Sequence, residues 1–289
     1  MGLFLQFAAP ALAGIFVGVM SGLLGVGGGT IMVPIFRLAF GMSPLASTAT
    51  SLFAIIPTSI SGVASHMRAK TCVPKLGVAL GIGGALTSPV GVWLASVSPG
   101  WLVIVVAALV VGLSAYKMFK KAIKAPRVAL SCWKAHTADA AATGALADAS
   151  EPASSNPIPA QPNLTRKHYL QGAGIGLVAG LASGYVGVGG GFIMVPMMLA
   201  ILSIPMSFAA GTSLIAIMIL AIPGVIEQAI LGNINYFAGI SIVVGTIPGA
   251  VIGARLVRVI PERQLRFAFG GFLLVAAVLL MLNEFGILG

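Results

Sequence analysis

Eight long apolar stretches constrain what this chain can fold into. Charged side chains occur only near the ends of these stretches, and each is close to the roughly 20 residues that a helix needs to cross a bilayer. Inside lipid an unpaired backbone group is costly, so spans of this kind must be helical. The stretches cover residues 3–24, 44–65, 76–97, 101–118, 169–186, 206–231, 236–257 and 267–282.

The composition excludes a soluble globular domain. Charged residues make up 8% of the chain and hydrophobic residues 58%, whereas a soluble domain carries about 25% charged residues. The formal net charge of +10 would suggest nucleic acid binding in a soluble protein. In a membrane protein it indicates basic loops on the cytoplasmic side. The sequence therefore predicts an all-α, polytopic membrane protein whose surroundings are the lipid bilayer, with no nucleic acid partner.

The apolar part of the chain contains an internal repeat. A shift of 162 residues places residues 14–34 on residues 176–196 without a gap, and 13 of these 21 positions are identical. We interpret the chain as two homologous transmembrane halves, residues 1–119 and 168–289. Residues 120–167 between them are rich in Ala, Ser, Pro and Lys without an apolar period, which is typical of a disordered linker.

The positions of the basic residues predict how the two halves are oriented. If the segment up to Gly41 enters the membrane and returns, then residues 66–75, the linker and residues 255–266 all face the cytoplasm. Arg37 is then the exception among the 16 Lys and Arg residues. If that segment is one broken span, four more arginines move outside. The positive-inside rule favours the first arrangement, in which the halves are inverted repeats, each a broken hairpin followed by three transmembrane helices.

Each half contains one glycine-rich break, with the sequence GVGGG, in its first apolar stretch. Glycine costs about 1 kcal/mol in a helix relative to Ala, so we expect the helix to stop there. A short apolar helix follows each break, over residues 30–40 and 192–202. The free N–H groups at a helix start attract anions, and inverted-repeat transporters use two such starts to build a central site.

We therefore expect the two breaks to converge near the membrane midplane and to bind an anionic substrate. Hydroxyl pairs on the next long helix of each half are also placed to donate hydrogen bonds to an oxyanion. The candidate substrate-binding residues are Gly25, Gly27, Gly28, Gly29, Thr30, Thr50, Ser51, Gly187, Gly189, Gly190, Gly191, Phe192, Thr212 and Ser213.

Structural alternatives exist for both features. Glycines recur every four residues upstream of each break, a pattern typical of close helix packing, so the breaks themselves could serve only to bend the chain. The hydroxyls could equally bond to their own helix or to a neighbouring one. A phosphate-binding loop of a soluble enzyme is excluded, because neither a Lys nor a Walker-type Ser/Thr follows the glycines. The upstream glycines are Gly14, Gly18 and Gly22, and Gly172, Gly176, Gly180 and Gly184.

Glu227 is the only acidic residue within a predicted span. Intramembrane acids are candidates for proton coupling, although a solvated helix end near Asn233 is an alternative. If Glu227 couples protons, Glu227→Gln removes the pH dependence of uptake and keeps exchange, and an unaltered pH dependence would reject the coupling role. His66 is expected in a basic interfacial loop.

The sequence shows no constellation of catalytic or metal-binding residues. It has no nucleophile paired with a base and no pair of carboxylates, and its two cysteines and three histidines do not have the spacing of a metal site. We therefore predict neither an enzyme nor a cofactor or metal.

The two glycine motifs resemble those of the sulfite exporter TauE/SafE family. The resemblance rests on GLLGVGGGTIMVPIF and GYVGVGGGFIMVPMM, followed by ATSL and GTSL, and it covers both halves but not the linker. It implies transport of sulfur-containing anions, such as sulfite and small organosulfonates, across the bacterial cytoplasmic membrane, with the linker in the cytoplasm.

Together these observations predict a secondary transporter. Its substrate would be sulfite or a C2–C3 organosulfonate such as sulfoacetate, and it would work by alternating access. The alternatives are an anion channel, a transporter of a small carboxylate without sulfur, and a membrane scaffold that binds a partner through the linker.

Overall fold

The computed structural model of the protein describes residues 2–99, a set of helical positions between 102 and 123, and residues 166–186, 189–257 and 259–284. Every regular element within these residues is a helix. The predicted linker, residues 120–167, lies almost entirely outside the described residues.

The described helices follow the predicted apolar stretches closely. The first half contains α1 (Gly2–Leu24), α2 (Gly29–Phe40), α3 (Pro44–Arg68) and α4 (Pro74–Val97). The second half contains α5 (Arg166–Val186), α6 (Gly191–Met197), a π-helical turn (Met198–Leu202), α7 (Met206–Ile230), α8 (Tyr236–Leu256) and α9 (Glu262–Glu284). The second short helix, predicted over residues 192–202, is therefore α-helical only as far as Met197.

Local residue chemistry accounts for several helix ends. Pro44 and Pro74 begin α3 and α4, where the missing N–H of proline costs least. Asn235 caps α8, since its side chain accepts a hydrogen bond of 3.1 Å from Ala238 N. At the start of α7, Met206 N donates to the Glu262 carboxylate at 3.2 Å, and a negative charge at that position stabilises the helix dipole.

Four of the described helices are long and apolar enough to cross a membrane. They are Leu45–Arg68, Pro74–Val97, Met206–Ile230 and Tyr236–Leu256. Gly191–Leu202, which follows the second glycine-rich break, is a shorter apolar segment. The prediction of an all-helical protein with several apolar spans is confirmed for the residues that the structure describes.

The helices of the two halves pack in reciprocal pairs. α1 packs along α8, where Gly14 faces Ile242 and Gly22 faces Ala250, so these two helices run parallel. α4 packs along α5 in the same parallel sense. The shift of 162 residues places α1 on α5 and α4 on α8, so each pair is the repeat equivalent of the other.

α3 and α7, which are equivalent in the repeat, pack against each other between these pairs. A methyl group built on Gly62 of α3 would lie 2.8 Å from Leu214 of α7, and one on Gly224 of α7 would lie 3.4 Å from Leu52 of α3. Residue numbers rise along α3 as they fall along α7, so the two helices are antiparallel.

Upstream glycines form the contact surfaces of the reciprocal pairs. Methyl groups built on Gly18, Gly176 and Gly180 would overlap the backbone of Thr246, Leu80 and Gly84 respectively. Small residues at these positions let helix backbones approach closely, which is how helices associate in membranes. The predicted packing role of the upstream glycines is confirmed at these positions.

Two glycines on one helix test this packing role. Gly176→Ala should destabilise the protein by about 1–3 kcal/mol, because the added methyl group meets the Leu80 carbonyl and the backbones must separate. Gly174→Ala is the matched control, since a methyl group there has open space. It should be neutral or stabilising by up to about 1 kcal/mol. Melting temperatures in detergent would measure both, and equal values would contradict the packing role.

Candidate functional site

The first break turns the chain between α1 and α2. Gly25, Gly27 and Gly28 have φ angles of 71°, 80° and 81°, which L side chains rarely adopt. Gly28 O then accepts hydrogen bonds of 3.1 Å from both Ile31 N and Met32 N, and these bonds start α2. Glycine is therefore required for the bend itself, whatever else the break does.

The second break has the same local geometry. Gly189 and Gly190 have φ angles of 88° and 70°, and Gly190 O accepts from Ile193 N at 3.1 Å and Met194 N at 3.0 Å. The candidate Gly187 lies outside the described residues. Where both are described, the two breaks form the same turn.

The two breaks lie against each other in the interior. A methyl group built on Gly191 would lie 2.7 Å from Gly25 O and 2.8 Å from the Cα of Val26. The contacts thus bring the two breaks together, and their role in binding a substrate stays a prediction.

Two isoleucines lie against both breaks. Methyl groups built on Gly27 and on Gly189 would each lie within 3.6 Å of Ile55 and Ile217. These isoleucines are repeat equivalents on α3 and α7, and both are fully buried. The space beside the breaks is therefore filled by apolar side chains from the two central helices.

The hydroxyls of the predicted threonines accept hydrogen bonds from backbone N–H groups in the other half of the molecule. Thr50 Oγ1 accepts a hydrogen bond of 3.0 Å from Asn235 N, just before α8. Thr212 Oγ1 accepts one of 3.0 Å from Val73 N, just before α4. These bonds are repeat equivalents, and they agree with the alternative in which the hydroxyls bond to a neighbouring segment.

The predicted serines also make bonds within the protein. Ser213 Oγ lies 2.6 Å from Gly25 O and 2.8 Å from Ala210 O, so it supports the break of the first half. Ser51 Oγ donates to Thr48 O at 2.9 Å. A role of the four hydroxyls in binding a substrate is not tested by these bonds and stays a prediction.

Four buried hydroxyls in the described part of the chain have no hydrogen-bond partner, those of Ser21, Thr30, Ser59 and Ser183. A buried unpaired hydroxyl costs free energy, so each one calls for an explanation. Ser21 and Ser183 are repeat equivalents. Their Cβ atoms would lie 3.6 and 3.2 Å from methyl groups built on Gly28 and Gly190, the residues that cap α2 and α6.

Thr30 was among the predicted site residues, and Ser21 and Ser183 were not. The signal that marks them is a serine present in both halves, four residues before the first glycine of each break.

The expectation for His66 is wrong. His66 lies in the last turn of α3 and is 0% exposed. Its Nε2 donates to Gly22 O at 2.9 Å, and its Nδ1 lies 2.8 Å from Thr71 Oγ1. The basic neighbours in the sequence suggested an interfacial loop, but the ring lies in the interior, in contact with Gly22 of α1, Thr71 of the α3–α4 turn and Gly211 of α7.

The second half matches the His66 interaction with an amide pair. Gln228, the repeat equivalent of His66, is buried and accepts from Asn233 Nδ2 at 2.8 Å. Glu227 precedes it near the end of α7 and is partly exposed. This placement does not test proton coupling, which stays a prediction for Glu227.

Two halves with long apolar helices and an interrupted helix in each define a multi-pass helical membrane protein. The chain belongs to the sulfite exporter TauE/SafE family, whose model matches residues 10–280. The resemblance in the glycine motifs is thereby confirmed, and the protein is a membrane transporter by family.

Individual relatives agree with this assignment. The chain is 25% identical to the probable membrane transporter protein YunE of Bacillus subtilis over 261 residues, 88% of this chain and 89% of the relative. It is 26% identical to the probable membrane transporter protein YdhB of the same organism over 266 residues, 92% of this chain and 96% of the relative. A shorter match, 32% identical over 110 residues, links 36% of this chain with 41% of the probable membrane transporter protein MJ0441 of Methanocaldococcus jannaschii. No solved structure matches the chain.

Proposed function

We propose that the protein is a secondary transporter of a small sulfur-containing anion, either sulfite or a C2–C3 organosulfonate such as sulfoacetate. It moves this anion across the cytoplasmic membrane by alternating access. The observation that carries the proposal is the meeting of the two glycine breaks in the interior, where Gly191 lies against Gly25 and Val26. The family's description as sulfite exporters supports the choice of a sulfur anion.

An anionic substrate fits the chemistry of the breaks. The first N–H groups of a helix have no acceptor within the helix and carry partial positive charge. Gly28 and Gly190 place such helix starts in the protein interior, among residues that are almost all buried. In that environment a small anion can replace water as the acceptor.

The apolar packing beside the breaks favours a carrier over a channel. Ile55 and Ile217 are fully buried between the halves, so the breaks are not joined by an open aqueous path at that point. A carrier repacks such a contact in each cycle, as one half rocks against the other. An anion channel remains the alternative, and large unitary currents in place of saturable counterflow would support it.

The helix directions support an inverted-repeat arrangement. α3 and α7 are repeat equivalents and run antiparallel, so we propose that the two halves cross the membrane in opposite orientations. With the same directions, the α3–α4 turn and the end of α8 lie on one side. Their basic residues then face the cytoplasm together, as the positive-inside rule requires.

Purified protein in detergent should be stabilised against heat by sulfite or by one of the sulfonates sulfoacetate and taurine, and not by acetate. A ligand that binds the folded state raises the free energy of unfolding by mass action, by about 2.7 kcal/mol at a hundred times its Kd, and the melting temperature rises with it. Chloride at equal ionic strength is the control, and sulfate tests the selectivity. Stabilisation by acetate alone would favour the carboxylate alternative, and the absence of any shift would contradict an anion site.

Cysteine labelling should place the α3–α4 turn and the end of α8 on the same side of the membrane. Lys75→Cys and Arg255→Cys, both at exposed positions, should react with an impermeant maleimide only from the cytoplasmic side. Leu231→Cys in the α7–α8 loop should react only from the opposite side. Opposite labelling of Lys75→Cys and Arg255→Cys would reject the inverted arrangement and support a single broken span.

The labelling background is low once one native cysteine is replaced. Cys132→Ser removes the cysteine of the linker. Cys72 lies buried in the α3–α4 turn, and burial raises the pKa of its thiol. Because the thiolate is the form that reacts, Cys72 should label slowly near neutral pH.

A further inference from the structure

The two breaks have the same backbone conformation, but their side chains differ. At the first break, Ser21 and Thr30 are each 1% exposed, and neither hydroxyl has a hydrogen-bond partner. Ser21 lies on α1 beside Gly28, the cap of α2, and Thr30 lies in the first turn of α2. Two unpartnered donors therefore lie at the start of a helix of 12 residues.

The second break lacks one of these hydroxyls. The repeat equivalent of Thr30 is Phe192, which is 0% exposed and belongs to the main apolar core. Ser183 remains as the equivalent of Ser21. The helix after this break is also shorter, because α6 ends at Met197 and a π-helical turn follows.

Unpartnered hydroxyls are unusual for serine and threonine in these helices. Such side chains commonly bond back to a carbonyl one turn earlier, as Thr58 does to Ala54 O at 2.7 Å and Ser241 does to Phe237 O at 2.8 Å. Ser21 makes no such bond, and Thr30, the second residue of α2, has no earlier turn of its own helix to bond to. Each is a donor that the protein has desolvated without an acceptor, and an oxyanion supplies the missing acceptor atoms.

We propose that the Ser21 and Thr30 hydroxyls bind the charged oxygens of the substrate at the start of α2. The second break, which has Ser183 but Phe192 in place of Thr30, contributes less to this contact. This proposal rests on the proposed function and specifies which half of the molecule holds the charged group. Two hydroxyl donors together with the N–H groups of a helix start suit a group with several oxygens on one atom, such as sulfite or a sulfonate.

Removal of either hydroxyl tests the assignment. Ser21→Ala and Thr30→Val should each weaken binding of sulfite, or of the sulfonate that stabilises the wild type, by about tenfold or more, since a hydrogen bond to a charged group is lost. The melting temperature of the ligand-free protein should stay the same or rise, because a buried unsatisfied hydroxyl is removed. Thr30→Ser keeps a hydroxyl at this position and should therefore bind the anion about as tightly as the wild type.

Ser241→Ala is the matched control, since it changes a buried serine that already has a partner. It should keep the affinity within about threefold of the wild type, well below the tenfold effect expected at the first break. Ser183→Ala compares the two breaks, and it should weaken binding less than Ser21→Ala does.

The outcomes separate this inference from the proposed function. Wild-type affinity in Ser21→Ala and Thr30→Val would overturn the inference and leave anion transport standing. A loss in Ser183→Ala as large as that in Ser21→Ala would also overturn it, because both breaks would then bind the oxyanion. A wild-type protein that binds none of the anions would overturn the proposed function and the inference together.

Discussion

A backbone inside a membrane must satisfy its own hydrogen bonds, and the rest of this structure depends on how the chain does so at the two breaks. Between Leu24 and Gly29 the helix stops, and carbonyl groups there lose their helical donors. The Ser213 hydroxyl, from the other half, lies 2.6 Å from Gly25 O. The break of the first half is thus stabilised by a side chain that is distant in sequence.

The same dependence recurs at the starts of α4 and α8. Thr50 accepts from the backbone N–H before α8, and Thr212 accepts from the one before α4. Each half therefore satisfies backbone groups of the other, and the glycines of α1 and α5 let the helices of the two halves pack closely. A chain built in this way folds as a single unit of two interleaved halves, in which neither half has a complete set of hydrogen-bond partners by itself.

Patterns along the chain predicted the features that depend on local composition or on the repeat. The apolar stretches predicted the helices, and the four-residue glycine spacing predicted close packing at residues such as Gly176. Contacts between distant residues leave no such pattern, so the bond from Ser213 to Gly25 and the burial of His66 were not predicted. Ser21 was missed for a related reason, because a serine in an apolar helix is ordinary until its hydroxyl is found without a partner.

The contrast between the symmetric scaffold and the asymmetric hydroxyls has a physical rationale in a carrier. Alternating access needs two states of similar free energy, and repeat-related packing such as that of Ile55 and Ile217 helps to balance them, because each half can take the arrangement that the other leaves. The substrate that we propose, in contrast, has one charged group and needs one set of donors. With Thr30 in one half and Phe192 in the other, the chain would keep the packing that the two halves share and, under the proposed assignment, place the polar donors at the start of α2.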